Sequence, residues 1–433
     1  MLQKRMPGIK VRVYTKNTKD LPVEQLPTPP LVKIPMSMHI GAPCDPKVKK
    51  GDQVHVGTLI GDSEAAVSAP IHSSVSGMVK GFEDITYFNG MHTVAVVIET
   101  DGKQTYDETL APPVIDSFET FIDAIKKSGL VGLGGAGFPT HIKFSPKNRD
   151  NVHTLIVNGA ECEPFITSDY RIMMDHTKEI LEGIDMTCQY LQLKRCIIAI
   201  EEDKQDAIDL FRRLSADDSR IDVISMKAIY PRGAEKVITY DTTGIVVSEG
   251  KFPADVGVLV ANIRTIYNIA LYYHTGIPLV QKVITVDGSA VNHPQNVRVP
   301  IGTRISDVIE FCGGYKHDPR LILMGGPMMG SAVYTDDYPV IKNNNAILAF
   351  DEKGANIQQP SPCIRCGQCI RSCPIGLMPL AIERAVEQQN CDELRALKVN
   401  LCMECGCCSY ACPAKRQLVL SNKIGKQKLT AAM

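Results

Sequence analysis

Cys363-Ile-Arg-Cys366-Gly-Gln-Cys369-Ile-Arg-Ser-Cys373-Pro374 and Cys402-Met-Glu-Cys405-Gly-Cys407-Cys408-Ser-Tyr-Ala-Cys412-Pro413 are two copies of one pattern, C-x2-C-x2-C-x3-C-P. A cysteine at every third position of a short loop turns three thiolates toward one iron–sulfur core. The fourth thiolate of each run ligates the other core. The spacing therefore assigns Cys363, Cys366, Cys369 and Cys412 to one [4Fe–4S] cluster, and Cys402, Cys405, Cys408 and Cys373 to a second. Structural zinc is the poorer reading, because its ligands come in pairs and this run crowds three into one loop. Disulfides need an oxidising compartment, and nothing in the sequence is expected to export the chain.

Between the runs, residues 376–399 are rich in Ala, Glu, Arg and Leu, with Leu380, Ile382, Ala385, Val386, Leu394 and Leu397 as apolar positions. This predicts two short helices, so the module resembles α-helical ferredoxins. Two clusters that each take one electron make a wire, and the rest of the chain must feed it.

Composition sets the bounds. A chain of 433 residues should hold roughly three to four domains. Net charge is −1, which gives no electrostatic case for a nucleic-acid partner. The start, MLQKRMPGIK, has no apolar signal core. The longest apolar runs, such as VGVLVANI at 256–263, fall short of the ~20 residues that span a bilayer. The expectation is a soluble chain, or one held at a membrane by a partner. Fifteen cysteines point to a reducing cytoplasm, and most of those outside the double run read as buried thiols.

Outward from the cysteines, residues 1–34 read as an irregular arm with one strand over Ile9–Tyr14. Residues 38–100 punctuate short strands with glycines, Lys50-Gly51-Asp52 and Ser76-Gly77 among the turns. This stretch resembles a biotinyl- or lipoyl-carrier barrel, yet the turn at Ser63-Glu64-Ala65 has no carrier lysine. His39, His55 and His72 lie at no ligand spacing and read as structural. After a linker at 101–117, Asp116 and Glu119 form an expected capping box for a helix that Gly129 ends.

The stretch Gly132-Leu-Gly134-Gly135-Ala-Gly137-Phe138-Pro139 leaves backbone amides bare for an anion. Pro139 suits the first turn of a following helix, with Lys143 one turn inside it. A glycine-rich loop by itself often marks only a turn. The apolar strand Thr154–Val157 then ends in Asn158-Gly-Ala-Glu161-Cys162-Glu163-Pro164, and α/β folds place ligands at such carboxyl ends. A helix over 171–192, a strand over 195–201, a helix over 203–214, strands over 222–226 and 256–261 and a helix over 262–274 follow. The alternation predicts an α/β layer domain. Residues 281–330 read as strands around one helix, a small β-grasp module.

Taken together, GLGGAGFPTHIKF, VNGAECEP, the leading barrel and the double cysteine run are similar to the RnfC family, the NADH-facing subunits of ion-translocating Rnf electron-transport complexes. The glycine loop also resembles the flavin loop of the NADH-oxidising subunit of respiratory complex I. The resemblance covers residues 35 to 420. It implies a multidomain α/β plus β fold: a barrel-sandwich hybrid with its arm over 1–110, an α/β FMN/NADH domain over 115–276, an SLBB-like β-grasp module over 277–345 and an α-helical double-cluster ferredoxin domain over 355–422. It implies FMN held by Gly132, Gly134, Gly135, Lys143, Asn158, Glu161, Glu235 and Asn262, with Phe138 stacking on NAD(H) and Glu163 hydrogen-bonding it. The chain departs from the complex I pattern at Leu133, Ala160 and Ala234. The implied activity exchanges hydride between NAD(H) and FMN and relays single electrons through two [4Fe–4S] clusters. The implied partners are an iron–sulfur subunit, membrane subunits and, indirectly, ferredoxin, at the cytoplasmic face of the membrane. A soluble cobalamin reductase of the same domain order, or a wiring subunit without nucleotide binding, are the alternatives.

Overall fold

Four parallel strands stand in the order Ile221–Met226, Arg195–Glu201, Thr154–Gly159, Val258–Asn262. They form the sheet of the α/β domain in a computed structural model that describes residues 6–87, 90–356 and 358–431. Arg195–Glu201 is buried from Cys196 onward. A strand covered on both faces needs such an unbroken apolar run rather than an alternating one. The chain steps outward from Thr154–Gly159 through two further strands, then returns to lay Val258–Asn262 on the other side. That reversal opens a crevice at the carboxyl ends of the two neighbouring strands, where Asn158 and Asn262 are paired in register.

The helices depart from the sequence reading in two places. The expected helix over 171–192 is two helices, Ser168–Asp175 and Thr177–Tyr190. His176 leaves helical geometry at φ −132° and tilts over the Tyr267 ring, 4.7 Å between centroids. The helix Phe118–Lys127 is capped by Ser117 and Thr120, not by Asp116 and Glu119. The Ser117 hydroxyl accepts from the Thr120 amide, and the Thr120 hydroxyl accepts from the Ser117 amide at 3.0 Å. Asp116 is left to accept from the Thr120 hydroxyl.

The barrel ahead of this domain is two antiparallel sheets. One carries Leu31–Pro35, His92–Thr100, Gly77–Thr86 and Gln53–Val54; the other carries Asp45–Pro46, Leu59–Asp62 and Ile71–His72. The turn with Ser63, Glu64 and Ala65 joins Leu59–Asp62 to Ile71–His72. Burial pushes the His39 and His72 imidazoles down to about 4 and about 3, so both are neutral structural residues.

The arm corrects a further expectation. Residues 1–5 lie outside the described residues, and Ile9–Tyr14 forms no strand: Ile9 makes a single bridge to Tyr230. The arm's strand is Val23–Gln25, which adds in parallel to Gln295–Pro300. That makes it the edge of a six-stranded sheet continuing through Gln281–Asp287, Ala346–Phe350, Leu321–Met324 and Ser331–Val333, with the helix Ile305–Phe311. The carboxyl-terminal module carries Pro379–Glu387 and Cys391–Ala396 between the cysteine runs, the two short helices that the composition predicts.

One buried lysine ties three of these units. Lys342 Nζ donates to the Pro70 carbonyl of the barrel at 2.5 Å and to the Gly129 carbonyl before the glycine loop at 2.7 Å. The flavin domain closes on itself equally tightly where the helix Thr177–Tyr190 crosses Ile263–Thr275. A Cβ on Gly183 would sit 2.3 Å from the Ile266 carbonyl oxygen. Gly183→Ala should therefore lower stability by about 1–3 kcal/mol through overpacking, seen as an earlier midpoint in chemical denaturation.

Candidate flavin cleft and iron–sulfur centres

The glycine loop is a closed ring of backbone. Gly132 N–H donates to the Phe138 carbonyl at 2.8 Å, and Thr140 N–H to the Leu130 carbonyl at 3.1 Å. The loop tip, Gly134 to Ala136, is exposed, and nothing lies within 4 Å of where a Cβ on Gly135 would be. Gly134 rests on Asn262, whose amide nitrogen would be 2.6 Å from an added Cβ. Asn262 caps the helix Ile263–Thr275, accepting from the Arg264 amide, and its Nδ2 donates to Asp169 Oδ2 at 2.7 Å.

From there the rim is continuous. Asn158, beside Asn262, donates Nδ2–H to the Gly233 carbonyl at 2.8 Å. Two residues on, Glu235 opens the helix Glu235–Thr243 and forms an ion pair with Lys143. Lys143 closes the short helix Thr140–Lys143 that leaves the glycine loop. The structure thus brings Gly132, Gly134, Gly135, Asn158, Asn262, Glu235 and Lys143 round one cleft, with half-buried Phe138 on the returning arm. Exposed amides, a cation at the rim and open space over Gly135 fit a phosphate-bearing cofactor. Asn343 reaches over from the six-stranded sheet, donating to the Gly135 carbonyl at 3.0 Å while its buried Oδ1 has no partner.

Glu161 and Glu163 are both engaged by backbone amides. Glu161, in the left-handed region at φ 47°, accepts from the amides of Asp169 and Tyr170 and so caps the helix Ser168–Asp175. Burial and the Asp169 charge push its carboxyl up to about 8. Glu163 accepts from the Met328 and Met329 amides at 3.0 and 2.8 Å, tying the strand-end loop to the six-stranded sheet. Burial raises its carboxyl to about 7 against the pull of those two amides.

The two cysteine runs adopt the same loop. Arg365 and Glu404 hold φ 55° and 58°, Gly367 and Gly406 φ 72° and 76°, and a short helix follows each. In both, the amide two residues on donates to the first sulfur, Arg365 to Cys363 at 3.3 Å and Glu404 to Cys402 at 3.4 Å. Leu377 N–H to Cys373 and Asn422 Nδ2 to Cys402, each 3.3 Å, add further donors. Such N–H···S bonds favour thiolate and tune a cluster.

Cys373, Cys402, Cys405 and Cys408 line one small pocket, together with Cys407. Burial pushes the Cys408 thiol up to about 12, and the neighbouring Cys402, Cys405 and Cys373 add to that rise. In the other set Cys369 packs with Cys412, while Cys363 is half-buried and Cys366 exposed. Among the described residues no three His, Cys, Asp or Glu form a single-ion site.

The two sets are not equivalent in place. Cys405 and Cys407 pack against Tyr230, with Cys162 and Met328 alongside, so the set with Cys405 adjoins the flavin domain and the set with Cys366 faces outward. Sequence spacing carries no such asymmetry. It also misses Asp169, Arg264 and Asn343, which join the cleft from distant segments.

Two substitutions probe this geometry. Gly134→Ala drives a methyl group into Asn262, and flavin affinity should fall at least about tenfold, a loss of ~1.4 kcal/mol, measured as flavin retained after gel filtration. Glu163 gives a pH test. Its folded pKa lies above the ordinary glutamate value, so its contribution to stability is full in acid and is lost as pH rises through about 7. Glu163→Gln should flatten the fall in stability between about pH 4.5 and 7, read from urea midpoints.

Family models match along the whole chain: the RnfC barrel sandwich hybrid domain at residues 4–103, the Nuo51 FMN-binding domain at 125–271, the SLBB domain at 283–332 and the 4Fe-4S dicluster domain at 355–420. The chain is 39% identical over 429 residues to a subunit of the Na(+)-translocating ferredoxin:NAD(+) oxidoreductase complex of Acetobacterium woodii, covering 98% of this chain and 96% of that one. It is 39% identical to the counterpart from the proton-translocating complex of Clostridium ljungdahlii, over 88% of this chain and 83% of that one. The corresponding subunit of the ion-translocating oxidoreductase complex of Rhodobacter capsulatus is 35% identical, over 88% and 74%. An NAD+-reducing [NiFe]-hydrogenase in the air-oxidized state shares the fold at TM-score 0.52 and 18% identity, over 73% of this chain and 61% of that one, so this chain spans about three fifths of the hydrogenase chain. With the cleft, the paired cysteine loops and relatives this similar over nearly its full length, the chain belongs to the RnfC family, whose members are subunits of ion-translocating oxidoreductase complexes.

Proposed function

We propose that this chain is the NAD(H)-handling subunit of an ion-translocating ferredoxin:NAD+ oxidoreductase, with one FMN and two [4Fe–4S] clusters. When bound, FMN takes an electron pair as hydride and gives electrons up singly, and each cluster carries one. The carrying observation is the packing of Cys405 and Cys407 against Tyr230 and Cys162, which sets the inner cysteine set beside the strand-end loop that closes the flavin cleft.

The chain's residues divide the work. The Gly134 and Gly135 amides and Lys143 bind the flavin phosphate, Lys143 exchanging its partner Glu235 for it. Gly132 closes the loop, while Asn158, Asn262 and Glu235 orient the ring system. Glu161 acts through the helix it caps, by holding Asp169 against Asn262. Phe138 stacks on the nicotinamide. Each Glu163 oxygen keeps a lone pair beyond its amide bond, and with it hydrogen-bonds the dinucleotide. Cys373, Cys402, Cys405 and Cys408 form the inner station, and Cys363, Cys366, Cys369 and Cys412 the outer one. Attachment is through partner subunits at the cytoplasmic face of the membrane, as the relatives' place in ion-translocating complexes suggests; among the described residues no helix is long and apolar enough to cross a membrane.

Anaerobically purified chain should carry about eight irons, from two [4Fe–4S] sites, with one FMN, and NADH should bleach both chromophores. Cys366→Ser should leave flavin and inner-cluster reduction intact by EPR while losing the outer signal. Cys405→Ser should cut reduction of the outer cluster by NADH. Iron without flavin would remove the NAD(H) reading.

A further inference from the structure

The amino-terminal arm forms no strand over Ile9–Tyr14, yet it has two sides. Ile9 and Val11 are half-buried, while Lys10 and Arg12 are exposed. The inward pair packs on Tyr230, Cys405 and Cys407, where Cys162 and Met328 also meet. Three segments converge beneath it: the strand-end loop of the α/β domain, the Met328 turn of the six-stranded sheet and the inner cysteine loop.

The arm is tied down along its length. Ile9 N–H donates to the Tyr230 carbonyl and Tyr230 N–H to the Ile9 carbonyl, each at 2.9 Å. Upstream, Arg232 donates to the Met6 carbonyl at 3.0 Å and pairs with Asp241 at 2.6 Å, both side chains being almost wholly enclosed. Downstream, the Tyr14 ring stacks on Phe165, 4.5 Å between centroids and 6° from parallel. Gly8 has no room for a side chain, because a Cβ there would lie 2.5 Å from the Tyr230 carbonyl oxygen. With the arm in place Cys405 and Cys407 are buried, whereas Cys366 of the outer set is exposed.

A [4Fe–4S] cluster gains a negative charge on reduction, and water stabilises that charge. An apolar shell that excludes water therefore lowers the cluster's potential. We propose that Ile9 and Val11 are positioning residues for the flavin-to-cluster step: they seal the inner station from water and hold its potential lower than it would be with that face open. This rests on the proposed relay only in needing a cluster at Cys373, Cys402, Cys405 and Cys408. An arm that merely packed the domains together would, when weakened, lower stability and leave the potential alone.

The test titrates the full anaerobic chain with dithionite and redox mediators, without NADH, and follows it by EPR. A Cys366→Ser background reads the inner cluster by itself. Ile9→Ser with Val11→Ser should move the inner midpoint to more positive potential. At fixed poise its reduced-to-oxidised ratio should rise about tenfold, equivalent to ~59 mV for one electron. The outer midpoint should stay where it is. Lys10→Ser, which changes the outward residue between them, and Ile9→Val, which keeps the inward side apolar, should both match the unaltered chain. An unmoved inner midpoint in the double variant overturns the seal, as does an equal shift from Lys10→Ser or an equal shift of the outer cluster. Should the double variant fail to hold iron, Gly8→Ala lifts the arm with its side chains intact and is scored in the same way. An unaltered chain with no inner EPR signal would overturn the relay reading itself, and the seal with it.

Discussion

The cleft depends on one buried ion pair. Arg264 and Asp169 are almost wholly enclosed and form a salt bridge. Arg264 also donates to the carbonyls of Leu133, in the glycine loop, and Val283, in the six-stranded sheet, each at 3.0 Å. Asp169 receives the Asn262 amide and heads the helix that Glu161 caps. One guanidinium thus sets the loop's height, the attitude of Asn262 and the approach of the next domain. Removing one partner of such a pair leaves a buried charge uncompensated, a cost of about 3–5 kcal/mol. Lys282 lies close by, and burial together with the Arg264 charge holds its amine well below the ordinary lysine value, which relieves the repulsion.

A second constraint is direction. Burial falls along the proposed relay, from the inner cysteines packed beneath Tyr230 to Cys366 at the surface. The helices Pro379–Glu387, Cys391–Ala396 and Leu418–Ala431 share a small apolar core around Ile382, Leu394 and Leu429, on which Cys373 and Cys402 of the two cysteine loops also pack. The chain's own packing, and not the ligand spacing, therefore fixes which station faces inward.

Places where the sequence reading and the structure part share one cause. A serine hydroxyl one position along outcompetes Asp116 for the helix cap. His176 trades helical geometry for contact with Tyr267, a residue far away in sequence. Ile9–Tyr14 has the apolar alternation of a strand but no partner edge, while Val23–Gln25 finds one on Gln295–Pro300. Local pattern states a preference, and tertiary contact selects among preferences of similar strength.

The cysteine spacing alone determined that one module holds two iron–sulfur sites, because that chemistry sits within a few residues of chain. The alternation of apolar strands with helices likewise determined an α/β layer, since a buried parallel strand must be apolar throughout. Only the folded chain decided that Asn158 and Asn262 meet at a reversal of strand order, that Glu161 and Glu163 spend their carboxylates on backbone amides, and that Asp169, Arg264 and Asn343 complete the cleft. Several of those relations join residues far apart in the chain, and no local periodicity records which amide a buried carboxylate must satisfy.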